Sequence, residues 1–118
     1  MKGYRIAWEL NQRLGIHLVK QPDLMVGVRK SLEKGFTYYS YETQVNRLKL
    51  LKNTCSDAEN GKYYLIPEFP RFDFIILARL NELGMQQPLI DCIKSVPSVE
   101  LVTPIPLENL KSKSNFVF

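Results

Sequence analysis

The fold is decided by residues 63–77, which read Tyr63-Tyr64-Leu65-Ile66-Pro67-Glu68-Phe69-Pro70-Arg71-Phe72-Asp73-Phe74-Ile75-Ile76-Leu77. Two apolar runs flank an elbow that is interrupted by proline and carries two carboxylates and one arginine. The second run, continued to Arg79, is apolar on both faces, which is typical of a strand covered from above and below. The pattern predicts a small sheet that turns round in its own core, with this strand near the middle.

The rest of the chain predicts the other elements of an α+β domain. Apolar residues at helical spacing predict one helix from Tyr4 to Leu14 and another from Pro88 to Val96. We predict strands at 24–28, 36–41, 45–51, 62–66, 72–79 and 99–103, with turns at 34–35, 42–44 and 60–61. A short helical turn is predicted at 107–110. We therefore expect an antiparallel sheet of about six strands with the two helices packed on one face, and Trp8 in the core or docking the first helix.

The elbow also carries a family resemblance. Its Ile-Pro-Glu sequence, a gap of three residues and then Phe-Asp-Phe resembles the motif of the IPExxxVDY family of small uncharacterised bacterial proteins. The shared positions are Ile66, Pro67, Glu68 and Asp73. Residues 4–11 and 110–115 are similar to the family's first helix and ending, so the resemblance covers most of the chain. It implies a strand ahead of that helix, which is absent or trimmed here, and it implies no activity.

Composition bounds the class of protein. The 118 residues suffice for one domain, 1–118, with 111–118 as a loosely ordered tail whose Phe116 and Phe118 alternatively dock on a partner. No apolar run approaches the roughly 20 residues that cross a bilayer, and the N-terminus lacks the order of a signal peptide. We therefore expect a cytoplasmic protein without membrane contact. Cys55 and Cys92 show neither metal spacing nor a disulfide framework, and we expect both thiols to stay reduced.

Few residues of the sequence suggest a catalytic or metal-binding role. Glu68 and Asp73 are either a paired acid and base or, as we expect, structural carboxylates that accept backbone N–H bonds or pair with Arg71. His17 is the only histidine, and no cysteine, serine or carboxylate stands at a telling spacing from it. We therefore expect no catalytic residue, no metal and no cofactor.

Charge is concentrated in the first half of the chain. Residues 1–54 hold ten Lys or Arg against four Asp or Glu, a net charge of +6, whereas residues 55–118 carry −2. Aromatic residues precede basic ones on two predicted strands, and the candidate binding surface is Tyr39, Tyr41, Arg47, Lys49 and Lys52. Aromatics and cations interleaved on one sheet face bind nucleic acid in some proteins, but tyrosine is also simply a good strand residue.

The sequence thus predicts a non-enzymatic binding or assembly module. We expect it to recognise another protein, or a second copy of itself, through the basic half of the sheet or an exposed strand edge. The alternative is an RNA-binding module that uses the same basic and aromatic sheet face.

Overall fold

The computed structural model describes residues 3–29, 32–44, 46–54, 64–80, 86–97, 99–103 and 105. Helix α1 spans Gly3–Leu14 and helix α2 spans Gln86–Lys94. The strands are β1 (Val19–Lys20), β2 (Leu24–Arg29), β3 (Leu32–Phe36), β4 (Tyr38–Glu42), β5 (Asn46–Lys52) and β6 (Phe74–Leu80). The α+β class is confirmed, and the predicted turn at 60–61, helical turn at 107–110 and tail at 111–118 lie outside the described residues.

The six strands form two sheets and not one. Strands β1, β4, β5 and β6 make a four-stranded antiparallel sheet in the order β1-β4-β5-β6, and β2 and β3 make a separate antiparallel hairpin. The predicted single strand at 36–41 is divided at Thr37, where the chain leaves the hairpin and enters the larger sheet. The Thr37 carbonyl already accepts a hydrogen bond from the Lys52 N–H at 2.9 Å, so pairing with β5 begins there.

Strand β6 corrects the prediction of a central strand. Among the described residues it pairs only with β5, so it ends the four-stranded sheet. Leu77 is buried, but Phe74, Ile75 and Ile76 are only half-buried. Apolar residues on both faces of a strand indicate that layers cover it from above and below. They do not indicate whether it has a neighbouring strand on each side, and the predicted position in the sheet was therefore wrong.

Three further elements differ from the prediction. Lys34 and Gly35 lie within β3, where glycine permits a close approach: a Cβ on Gly35 would lie 3.0 Å from Asp23 Oδ2. Residues 99–103 form no strand, and their valines pack against the helical core instead. In the described part of the predicted strand 62–66, Tyr64 makes one isolated bridge with Thr54.

The helices cover one face of the four-stranded sheet, as predicted. Ile6, Ala7 and Leu10 of α1, with Leu89 and Ile93 of α2, share one core with the sheet residues Tyr39, Leu48 and Leu50. Gly15 ends α1 at φ 65°, a conformation that glycine adopts without strain, and its N–H donates to the Asn11 carbonyl at 3.0 Å. We call the side of the sheet that the two helices cover the helix face.

Trp8 corrects a second prediction, because 52% of its surface is exposed. The residue after Ala7 is rotated by about 100° around the helix axis, which turns it away from the buried side. Trp8 therefore lies on the outer side of α1.

The opposite face of the sheet carries the β2–β3 hairpin and a second core. Phe36, Leu51, Leu65 and Leu77 are buried together, and Leu24 and Val26 of the hairpin pack against them. We call this the hairpin face. The sheet is thus the middle layer of three, with helices on one side and the hairpin on the other.

Candidate functional site

The β4–β5 hairpin separates the five candidate residues onto two faces. Its turn is held by Thr43, whose Oγ1 accepts a hydrogen bond from the Asn46 N–H at 2.9 Å. The register places Tyr41 opposite Leu48 and Tyr39 opposite Leu50, so both tyrosines belong to the helix face. Side chains alternate along a strand, and Arg47 and Lys49 therefore belong to the hairpin face.

The tyrosines on the helix face are core residues. Tyr39 is 9% exposed, and Tyr41 is half-buried against the same core. Burial raises the pKa of the Tyr39 phenol, and the neighbouring Tyr4 raises it further. Lys52, which pairs with Phe74, is exposed at the end of β5 on this face. The predicted surface of interleaved aromatics and cations is therefore not formed as one face.

The side chains of the hairpin face change from apolar to charged along the strands. At one end Tyr38, Leu51 and Ile75 lie in one row across the sheet and belong to the second core. In the next row Lys49 stands between Ser40 and Leu77, and its Nζ lies 5.8 Å from the centre of the Tyr38 ring. This distance suits a cation–π contact.

Two arginines stand side by side in the last row of the hairpin face. Arg47 of β5 is the register partner of Arg79 of β6, and Glu42 of β4 is the register partner of Arg47 on its other side. Like charges directly opposite each other on a sheet repel. Within the described part of the chain, neither guanidinium has a carboxylate oxygen within 4.0 Å. We call Arg47 and Arg79 the arginine pair.

Beside the arginine pair lies the outer side of β6, which we call the open edge. Neither hairpin strand nor any other described strand pairs with β6 on that side. The open edge is seven residues long and follows the sequence Phe-Ile-Ile-Leu-Ala-Arg-Leu. At the other end of the sheet, β1 has only two residues. An unpaired strand presents its N–H and C=O groups to any chain that can pair with them, and a short edge strand limits such pairing.

The elbow at residues 66–73 is held in place by a residue outside it. Asn53 is completely buried, and its side chain donates from Nδ2 to the carbonyls of Phe69 (3.0 Å) and Phe72 (2.8 Å). Its Oδ1 accepts from the Ile66 N–H at 2.8 Å. Two backbone hydrogen bonds, to Leu65 and Asp73, complete the set. Sequence reasoning missed Asn53 because a polar residue at the start of a polar segment resembles an ordinary loop residue.

The elbow itself contains two successive turns. The Phe69 N–H donates to the Ile66 carbonyl and the Phe72 N–H to the Phe69 carbonyl. Ile66 is buried, whereas Pro67, Glu68 and Asp73 are exposed. A shallow apolar depression of about 10 Å³ lies between α1 and β5, and neither carboxylate lines it. The structural role of Glu68 and Asp73 stays a prediction.

The remaining reactive side chains lie apart. His17 is exposed, Cys92 is half-buried on α2, and Cys55 lies outside the described residues. Burial raises the pKa of the Cys92 thiol, against a smaller lowering by Arg13. Among the described residues, no group of three or more His, Cys, Asp or Glu side chains is placed to hold a metal ion. No helix in the described part of the chain is long and apolar enough to cross a membrane.

The outer side of α1 carries two exposed aromatic side chains. Tyr4 is 65% and Trp8 52% exposed, and the Arg5 guanidinium lies 5.5 Å from the centre of the Trp8 ring. Arg13 donates from Nε to Glu9 Oε2 at 3.2 Å and from Nη1 to Ser95 Oγ at 3.1 Å. This chain of contacts ties α1 to the end of α2.

Comparison of the chain with protein-family models, curated proteins and solved structures found no match. The resemblance of the elbow to the IPExxxVDY motif therefore stays a prediction.

Proposed function

We propose that the protein is a non-enzymatic module that binds another protein chain along the open edge of β6. The observation that carries the proposal is the position of this strand at the end of the described sheet, with seven residues of backbone on its outer side. Extended segments of partner proteins commonly bind by adding a strand to such an edge.

The packing of β6 supports this use of its edge. Leu77 is buried and Ile75 packs against the second core, while Phe74 and Ile76 pack against the helical core. Side chains on both faces therefore fix the strand in place, so its backbone is ordered before a partner arrives. A preorganised edge loses little conformational entropy on binding, which favours association.

The RNA-binding alternative has less support from the geometry. Base stacking requires exposed aromatic rings beside the cations. Tyr39 and Tyr41 instead lie on the helix face, where Tyr39 is buried and Tyr41 half-buried, whereas Arg47 and Lys49 lie on the hairpin face. Tyr38 does lie beside Lys49 on the hairpin face, but its ring is half-buried against the second core and offers little surface for base stacking.

The proposal is tested by photo-crosslinking in the cells that make the protein. A photoreactive amino acid at Ala78, which is exposed on β6, should give a defined adduct with another protein chain or a second copy. The same group at Gln12, exposed on α1, is the matched control. The crosslinked chain is then purified and its binding to this protein measured directly.

Two neighbouring proline substitutions show whether the edge itself binds. Successive N–H groups of β6 point alternately to β5 and to the open edge, so one of Ala78→Pro and Arg79→Pro removes an outward N–H and no hydrogen bond to β5, with Arg79→Ala as the control for loss of the guanidinium. Circular dichroism identifies the variant that keeps the fold, and that variant should bind the purified partner at least about tenfold more weakly. Unchanged binding, or adducts with RNA alone, would contradict the proposal.

A further inference from the structure

We infer that the segment bound by the open edge is one in which acidic residues alternate with apolar residues. This inference rests on the proposed function and adds the chemistry of the partner. It follows from the different side chains that β6 presents on its two faces next to the edge.

The hairpin face of the edge selects negative charge. Arg79 is exposed there, and Arg47 is its neighbour in the row. A strand added beside β6 would place one residue directly opposite Arg79 and on the same face. An acidic side chain at that position extends the row to Glu42, Arg47, Arg79 and a carboxylate. The arginine pair then has a negative group on each side.

The helix face of the edge selects apolar side chains. Phe74, Ile76 and Ala78 lie on that face, the first two half-buried and the third exposed. None of the three carries charge. In an added strand the residues next to the acidic ones point to this side, because side chains alternate. Apolar residues there would cover the exposed parts of Ile76 and Ala78.

Other occupants fit the edge less well. A second copy pairing antiparallel about Leu77 would set Arg79 against Ile75 and leave the arginine pair without a negative group. A nucleic acid has no backbone N–H and C=O groups at strand spacing, so it cannot extend the sheet by pairing with β6. An acidic and apolar protein segment is the occupant that complements both faces.

Synthetic peptides test the inference directly. A fluorescent nine-residue peptide of alternating valine and glutamate is titrated with the protein and followed by anisotropy. One comparison peptide has lysine for glutamate, and another has the same composition with all glutamates at one end. We expect the alternating acidic peptide to bind at least about tenfold more tightly than either.

Charge reversal assigns the binding to the arginine pair. Arg79→Glu should abolish the preference for glutamate and favour the lysine peptide. Lys20→Glu, which changes the net charge equally on β1 at the far end of the sheet, should leave the glutamate preference intact. Thermal unfolding of both variants shows that each retains the fold.

Hydrogen exchange separates this inference from the proposed function. The alternating peptide should slow exchange of β6 amides. If all peptides protect β6 equally, the edge binds protein and the charge rule is wrong. If no peptide binds while the crosslinked partner does, the inference is overturned and the proposed function stands. If a single-stranded or hairpin RNA binds instead, and Arg79→Glu abolishes that binding, both are wrong.

Discussion

On the helix face, the rows that run across β4, β5 and β6 through Leu48 and Leu50 consist of tyrosine, leucine, isoleucine and alanine. On the hairpin face, the row through Leu51 is apolar, the next contains Lys49, and the last contains Glu42 and the arginine pair. The strands are the same and only the side-chain parity differs. The comparison shows that the helix face serves packing along its whole length, while the hairpin face divides into a packed end and a charged end.

The division follows from the size of the two covering layers. Two helices of twelve and nine residues lie over the helix face. The hairpin contributes Leu24, Val26 and Phe36 to the core at the Leu51 end of the other face. The charged end of the hairpin face also adjoins the open edge of β6, which places cations beside a strand whose outer side pairs with no described strand.

The largest effect is expected from neighbouring substitutions on β5. Leu48→Ala removes a side chain that is 7% exposed in the helical core and should cost about 2–5 kcal/mol. Lys49→Ala removes a half-buried side chain on the hairpin face and should change stability by less than about 1 kcal/mol. Urea unfolding measures both, and equal costs would contradict the difference between the faces.

An intermediate effect is expected at the elbow. Asn53→Ala removes the side-chain bonds to the Ile66 N–H and to the Phe69 and Phe72 carbonyls, of which Phe69 keeps the bond from the Phe72 N–H, and should cost about 2–4 kcal/mol. Asn11→Ala is the matched control, because that side chain also bonds backbone atoms, of Leu18, at 2.7 and 3.4 Å, and is only half-buried. Its cost should be about 1 kcal/mol. Similar losses in the two variants would show that Asn53 does not organise the elbow.

The smallest effect is expected at high pH. Burial raises the pKa of Tyr39 above its ordinary value of about 10, so the unfolded chain loses this proton first. The stability linked to Tyr39 is therefore complete below about pH 10 and declines as pH rises through the folded-state pKa. Denaturant unfolding between neutral pH and pH 11 should show a smaller decline for Tyr39→Phe than for the wild type. Parallel curves would indicate that the helix face admits charge at this position.

The sequence predicted the elements better than their arrangement. Helical spacing located α1, and the polar residues 42–44 located the β4–β5 turn, because both signals are local. The position of β6 at the end of the sheet, and the division at Thr37, depend on contacts between distant segments. The candidate surface failed as a single face because strand parity, which places Tyr39 and Arg47 on opposite sides, requires the exact start of each strand.

Asn53 sets different rules for change at different positions of the elbow. All five hydrogen bonds that Asn53 makes with described residues reach backbone atoms, and residues 67–71, at the centre of the elbow, are exposed. Replacing the exposed Pro67 or Arg71 therefore leaves these hydrogen bonds in place as long as the turns form, whereas replacing Asn53 removes three of them. We therefore expect related sequences to retain this asparagine, and its spacing from the elbow, more consistently than the Ile-Pro-Glu sequence.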